Sequence, residues 1–189
     1  AGAVDSIRRA KAEGLPITVE TTPHYLTFDA EEIPDGATEY KCCPPLRGHE
    51  NRMGLWKALR EGVIDLVASD HSPSTAELKH LDTGDFGTAW GGISSVQLGF
   101  SAVWTEGRKL GASLSDVVRW QSANPAATVG LTGKGAIEVG AAADLVAVAP
   151  EEVFTVDKNE LFHKNPVTPY HGRELAGVVK ATWLAGELV

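Results

Sequence analysis

The 189 residues carry a formal net charge of −8, with 43% hydrophobic and 22% charged side chains, a composition suited to one large globular domain or two small ones. The acidic balance argues against nucleic acid and anionic membrane surfaces as partners, and no apolar run approaches the roughly 20 residues that cross a bilayer. No basic-then-apolar leader opens the chain, and the only cysteines, Cys42 and Cys43, are adjacent, which provides no disulfide framework and suits a reducing, cytoplasmic compartment.

Taken in order, Val4 to Glu13 has helical spacing, with Val4, Ile7 and Ala10 on one face, Arg8, Arg9 and Lys11 outside, and Gly14 past the end. After the Gly14-Leu15-Pro16 breaker, Ile17 to Thr21 reads as a β-branched strand that ends in Pro23 and His24. A helix followed at once by a strand is a junction from the interior of a repeating βα fold, whose beginning is missing here. Asp29 to Ile33 reads as an N-cap and one helical turn. Tyr40 to Arg47, closed by Pro44-Pro45, reads as a third strand end carrying polar chemistry.

Glu50 to Arg60 is a helix with Met53, Leu55, Trp56 and Leu59 at helical spacing, and its acidic start and basic end suit the helix dipole. It delivers the chain to Val63–Ala68, a buried strand that stops abruptly at Asp70 and His71. At the carboxyl ends of parallel strands in α/β folds, such side chains meet ligands. Two readings of Asp70 and His71 are open: a delivered acid and imidazole, or a cap and a surface residue. His24 and Asp70, an imidazole and a carboxylate at two strand ends, are ligand types of a hydrolytic metal site. A mononuclear site using His24, Asp70, His71 and Cys42 is one such arrangement.

From Ser74 to Gly92 the chain is polar and glycine-rich, either a lid that contacts substrate or a surface excursion. Ile93 to Thr105 reads as a helix burying Val96, Phe100, Val103 and Trp104, and Ser113 to Asp116 opens another. Trp90, Trp104 and Trp120 read as packing. Beyond Thr132-Gly133-Lys134-Gly135 come two short strands, Ile137–Val139 and Leu145–Val148, and later Gly177–Trp183. His49 and His80 read as solvated, while His163 and His171, distant in sequence from the strand ends, are not expected as ligands.

The segments Glu20-Thr21-Thr22-Pro23-His24-Tyr25-Leu26-Thr27, Lys41-Cys42-Cys43-Pro44-Pro45-Leu46-Arg47 and Ala68-Ser69-Asp70-His71-Ser72-Pro73 resemble, in order, the sixth, seventh and eighth strand motifs of the cyclic amidohydrolases, the family of dihydroorotase, hydantoinase and allantoinase. Cys42 after Lys41, together with Ala89-Trp90-Gly91-Gly92-Ile93, looks most like the allantoinase branch. The resemblance implies an α/β fold: residues 1–133 as the C-terminal portion of a TIM-like (β/α)8 metal-dependent hydrolase barrel, and residues 134–189 as part of a composite β-sandwich.

It further implies two divalent ions, zinc in type, bridged by hydroxide and a carboxylated lysine, with His24 ligating one ion and Asp70 ligating the other while serving as general base. His71 would orient a small cyclic ureide whose ring is held near Cys43, Gly91 and Gly92. The complete enzyme would be a homo-oligomer, a tetramer. The family's H-x-H, bridging lysine and further histidine have no counterpart among these residues. Hydantoinase, dihydroorotase and a noncatalytic module derived from the family are the other readings.

Overall fold

The computed structural model describes residues 1–189. Helix α1 (Val4–Ala12) ends at Glu13, with Gly14 at a positive φ of 76° reversing the chain as its sequence position suggests. Val4 and Ile7 rest on the core, while the outer face is tied down by charge. Lys11 Nζ donates to both oxygens of Asp65, at 2.6 and 2.7 Å, and Asp65 Oδ2 accepts the Val19 amide at 2.8 Å. One carboxylate thus joins a helix to two strand entrances.

Those strands, β1 (Glu20–Thr21) and β2 (Leu66–Val67), pair in parallel with Glu20 opposite Leu66 and Thr21 opposite Val67. They are shorter than the β-branched runs that announce them, yet Asp65 N to Val19 O (2.8 Å) and Ala68 N to Thr21 O (2.9 Å) extend the contact on both sides. Helix α2 (Pro23–Thr27) follows β1 at once, with Pro23 in its first turn, where no amide donor is needed. The intervening helix α3 (His49–Arg60) buries Trp56, Ala58 and Leu59, and the Trp56 indole N–H donates to Leu26 O at 2.9 Å, fastening α2 to α3. Full burial of side chains as large as Trp56 and Leu59 is worth about 2 to 3 kcal/mol each.

Tyr40 to Arg47 is not a strand: a 3-10 turn at Thr38–Tyr40 leads into an irregular segment with no β partner. Pro44 and Pro45 supply no amide donors to a ladder, and the carbonyl of Lys41 is taken by the Gly92 amide and by a side chain. Likewise the helix expected from Ile93 begins only at Gly99, as α4 (Gly99–Lys109), and Val96 is exposed. The amides of Ser95 and Val96 are committed to the ring of His71 instead of to a helix. Trp90 is also exposed, its indole N–H reaching Ser72 Oγ at 3.3 Å, so it does not pack in the core as expected.

Ser113 and Asp116 form the reciprocal capping box at the start of α5 (Leu114–Val118), which runs through a wide π turn at Arg119–Ala123 into α6 (Asn124–Thr128). Asn124 Nδ2 donates to Asp65 O, tying this end of the helical layer to the entrance of β2. Ile137–Val139 forms no strand, because no neighbouring strand offers it hydrogen bonds, and both residues are exposed. The Leu145 strand is longer than expected: β3 (Leu145–Thr155) pairs antiparallel with β4 (Glu174–Leu184), which pairs with β5 (Glu187–Leu188).

This sheet docks on α4 through side-chain hydroxyls. Ser101 Oγ donates to Gly177 O at 2.7 Å and Thr105 Oγ1 accepts the Ala176 amide at 2.8 Å, while the Trp104 indole N–H donates to Pro150 O at 2.8 Å. Gly177, at φ 88°, lets the sheet approach: a Cβ there would lie 2.9 Å from the Trp104 ring. Val156, Tyr170 and Leu175 complete a core with Phe28, Leu46, Ile93 and Leu98. The two parts of the chain therefore share packing across residue 134.

Asp29, nearly buried, accepts Arg52 Nε at 2.6 Å and Arg52 Nη2 at 2.9 Å, and lies 3.0 Å from His49 Nδ1. Burial alone would raise its pKa, but the hydrogen bonds from Arg52 and His49 outweigh this and hold the carboxyl below its ordinary 3.8. We expect Asp29→Asn to cost about 2 kcal/mol at pH 7 by urea denaturation, since Arg52 would lose its charged, bidentate acceptor. A carboxyl with a lowered folded pKa contributes stability above its unfolded pKa and loses it as pH falls through the folded one. The gap between wild type and Asp29→Asn should accordingly shrink below pH 3.8; a gap constant down to pH 2 would contradict the pairing, the acid limit being about two units under that pKa.

The two-stranded sheet keeps open edges, and Val129, Ile137, Val139, Phe162 and Leu188 are all solvent-exposed. The 189-residue chain should therefore self-associate in a concentration-dependent way in analytical ultracentrifugation. A monomer with a sharp, reversible melt would count against this.

Candidate metal-ligand and substrate site

The parallel register of β1 and β2 brings the residues after each strand to one rim. His24, in the first turn of α2, is 0% exposed, and its Nε2 lies 3.8 Å from Asp70 Oδ2. Asp70 follows β2 in the left-handed region at φ 45°, a conformation carboxylate residues tolerate better than most, and its side chain is 56% exposed. Neither ring nitrogen of His24 has a hydrogen-bond partner. Burial lowers its pKa to about 4, so the imidazole is neutral at pH 7 with a lone pair available.

A buried imidazole with two orphaned nitrogens is costly, and His24 is the one residue left with both of its polar side-chain atoms buried and unpartnered. A neutral imidazole beside a carboxylate is a donor set that fits a divalent ion. No third His, Cys, Asp or Glu converges on the pair, so these residues offer two ligands. Cys42 does not join them: it is buried, its thiol contacts Pro44 O at 3.3 Å, and burial pushes its pKa up to about 11. The mononuclear arrangement of His24, Asp70, His71 and Cys42 is therefore not assembled.

His71 is paired in parallel with Ile93 and accepts the Ser95 and Val96 amides at Nδ1, at 3.0 and 3.1 Å. With Nδ1 an acceptor, the neutral ring carries its proton on Nε2. Burial also lowers the His71 pKa. Its ring stands 5.0 Å from that of His163, and Ser94 Oγ lies 2.9 Å from His163 Nδ1. Sequence reading placed His163 far from the site; only its return through the loop between β3 and β4 brings it there, and no local pattern signals that.

Cys43, exposed, lies against Gly91: a Cβ at position 91 would be 2.8 Å from Cys43 Sγ, and one at Gly92 would collide with Ser72. Tyr25, adjacent to His24 with ring centroids 4.5 Å apart, donates its hydroxyl to Pro44 O at 2.6 Å and links this segment to the His24 side. Sequence reading also missed Lys79. It is 2% exposed, within the stretch read as a polar loop, and donates to the carbonyls of Lys41, Trp90 and Gly92. Burial lowers its pKa to about 8, which leaves it cationic at pH 7.

With an imidazole and a carboxylate at the ends of adjacent parallel strands and helices between them, the chain belongs to the amidohydrolase family, whose model matches residues 1–189. Among its relatives, the allantoinase of Streptomyces avermitilis is 59% identical over 187 residues, covering 99% of this chain and 41% of that protein. The allantoinase of Arabidopsis thaliana is 49% identical over 188 residues, covering 98% of this chain and 37% of that protein. The solved D-hydantoinase of a Bacillus sp. superposes with a TM-score of 0.91 at 33% identity, over 100% of this chain and 42% of the other. The chain thus spans about two fifths of the length of these relatives.

The orphaned imidazole supports a stability test. In chelator-treated protein, His24→Leu should unfold at higher urea, by about 1 kcal/mol, because a similar volume is filled without two unpaired nitrogens. Destabilisation by a comparable amount would show that the ring has partners in the metal-free state.

Proposed function

We propose that this chain supplies part of the active site of an allantoinase, hydrolysing the ring amide of allantoin to allantoate, with residues 1–133 as the C-terminal part of the barrel and 134–189 as part of a β-sandwich. The observation that carries the proposal is the His24–Asp70 pair, two ligand-type groups 3.8 Å apart at the ends of paired parallel strands. High identity to allantoinases over nearly the whole chain favours allantoin over the hydantoin ring. Residues outside these 189 would provide the remaining ligands, including a carboxylated lysine shared by two zinc ions, within a cytoplasmic homotetramer.

His24 and Asp70 would hold the metal, which when bound supplies a Lewis acid and water acidified toward neutral pH. His24 serves as a neutral ligand, its protonation suppressed by burial. Asp70, exposed on the rim, takes the proton of the attacking water and returns it to the leaving ring nitrogen. His71 has one free proton donor, Nε2–H, because its other nitrogen is occupied by two amides; it is suited to orienting a ureide oxygen. The backbone at Cys43 and Gly91 holds the ring, while Gly92, expected to join them, has its amide committed to Lys41 O and its carbonyl to Lys79.

Two ligands are fewer than the three or more that catalytic sites use. The 189-residue chain should therefore form allantoate no faster than background. Joined to the remaining barrel segment, it should do so in a chelator-sensitive way. There, Asp70→Asn should lower kcat by about 10²- to 10⁴-fold with the fold intact, since an amide cannot carry the proton. The assay follows allantoate, with hydantoin and dihydroorotate as competing substrates. Robust turnover by the short chain, full activity of Asp70→Asn, or faster hydrolysis of either competitor would overturn this assignment.

A further inference from the structure

Lys79 lies between β2 and α4 with its ammonium group removed from solvent. It donates to three main-chain carbonyls: Lys41 O at 2.8 Å, Trp90 O at 3.0 Å and Gly92 O at 2.5 Å. No carboxylate forms an ion pair with it. Withdrawing a charge from water costs several kcal/mol, which these three acceptors must offset. Two of the carbonyls belong to the residues on either side of Gly91 and the third to Lys41, two residues before Cys43; Gly91 and Cys43 are where the separate segments touch.

A planar trans peptide points its N–H away from its C=O. With the Trp90 carbonyl drawn to Lys79, the Gly91 N–H is turned in the opposite direction, and it donates to no acceptor in the protein. The Cys43 N–H is also without an acceptor. The Gly92 amide, by contrast, is consumed by Lys41 O at 3.0 Å, which locks the two segments together. A cation at hydrogen-bond distance polarises a carbonyl and so strengthens the N–H at the other end of the same amide.

We propose that Lys79 is a positioning residue for substrate: it fixes and polarises the Trp90–Gly91 peptide so that the Gly91 N–H, beside that of Cys43, is held as a donor to a carbonyl oxygen of the ring. This rests on the reading that the Cys43 and Gly91 backbone faces the substrate. The role is distinct from chemistry at the His24–Asp70 pair, and it predicts selectivity among ligands that differ by a single carbonyl.

The test is calorimetric titration of the metal-loaded full-length enzyme, wild type and Lys79→Met, with hydantoin and with the two imidazolidinones that each lack one ring carbonyl. Lys79→Met should bind hydantoin about tenfold more weakly, the worth of one good hydrogen bond. One imidazolidinone, lacking the oxygen that Gly91 serves, should bind wild type and variant within about twofold of each other. A purely structural lysine would weaken all three ligands alike, and that result, or unchanged hydantoin binding, overturns the proposal. Should Lys79→Met fail to fold, Lys79→Gln, which keeps an N–H donor without the charge, carries the same comparison. If wild type binds both imidazolidinones as tightly as hydantoin, the underlying reading of the Cys43 and Gly91 backbone fails, visibly in wild type alone, and the role of Lys79 falls with it.

Discussion

The site depends on the register of two short parallel strands. Because side chains alternate along a strand, a slip of one residue between β1 and β2 would send the residues that follow to opposite faces. Two residue pairs are too few to hold register by ladder bonds alone, and Asp65 supplies what is lacking. Its carboxylate binds Lys11 of α1 and the Val19 amide ahead of β1, and its carbonyl is held by Asn124 of α6. Three elements therefore agree on where β2 begins, and His24 and Asp70 meet as a result.

Around that frame, the structure treats its polar groups in two opposite ways. Asp29 is buried and fully answered by Arg52 and His49, an arrangement that stabilises. His24 is buried and unanswered. The unanswered imidazole stands at the rim where ligand-type side chains gather, a place where a site trades stability for chemistry.

Much of this was legible in the sequence because it is local. The amphipathic periodicity of α1 and α3, the Ser113–Asp116 cap and the two apolar runs ending in His24 and Asp70 all read correctly, since each is decided by residues within a few positions. What was misread is decided at a distance. Ile93 to Leu98 has a helical pattern, yet the amides of Ser95 and Val96 are claimed by His71, a residue more than twenty positions earlier. Tyr40 to Arg47 resembles a strand until one asks which neighbour would pair with it. Lys79 and His163 gave no signal, because a lysine in a polar loop and a histidine far downstream acquire meaning only from the groups folded around them.

The hydroxyl contacts between α4 and the antiparallel sheet also set an order of events in time. Ser101 and Thr105 of α4 bond to Gly177 and Ala176 of β4, and the Thr168 hydroxyl ahead of β4 donates to Ser94 O, each pair more than seventy residues apart. During vectorial synthesis, the face of α4 that carries Ser101 and Thr105 stays uncovered until β4 has emerged. The rim can form its imidazole and carboxylate pair early, but its backing is closed last. A ribosome paused before β4 would hold a nascent chain whose strand ends are in place and whose wall is not.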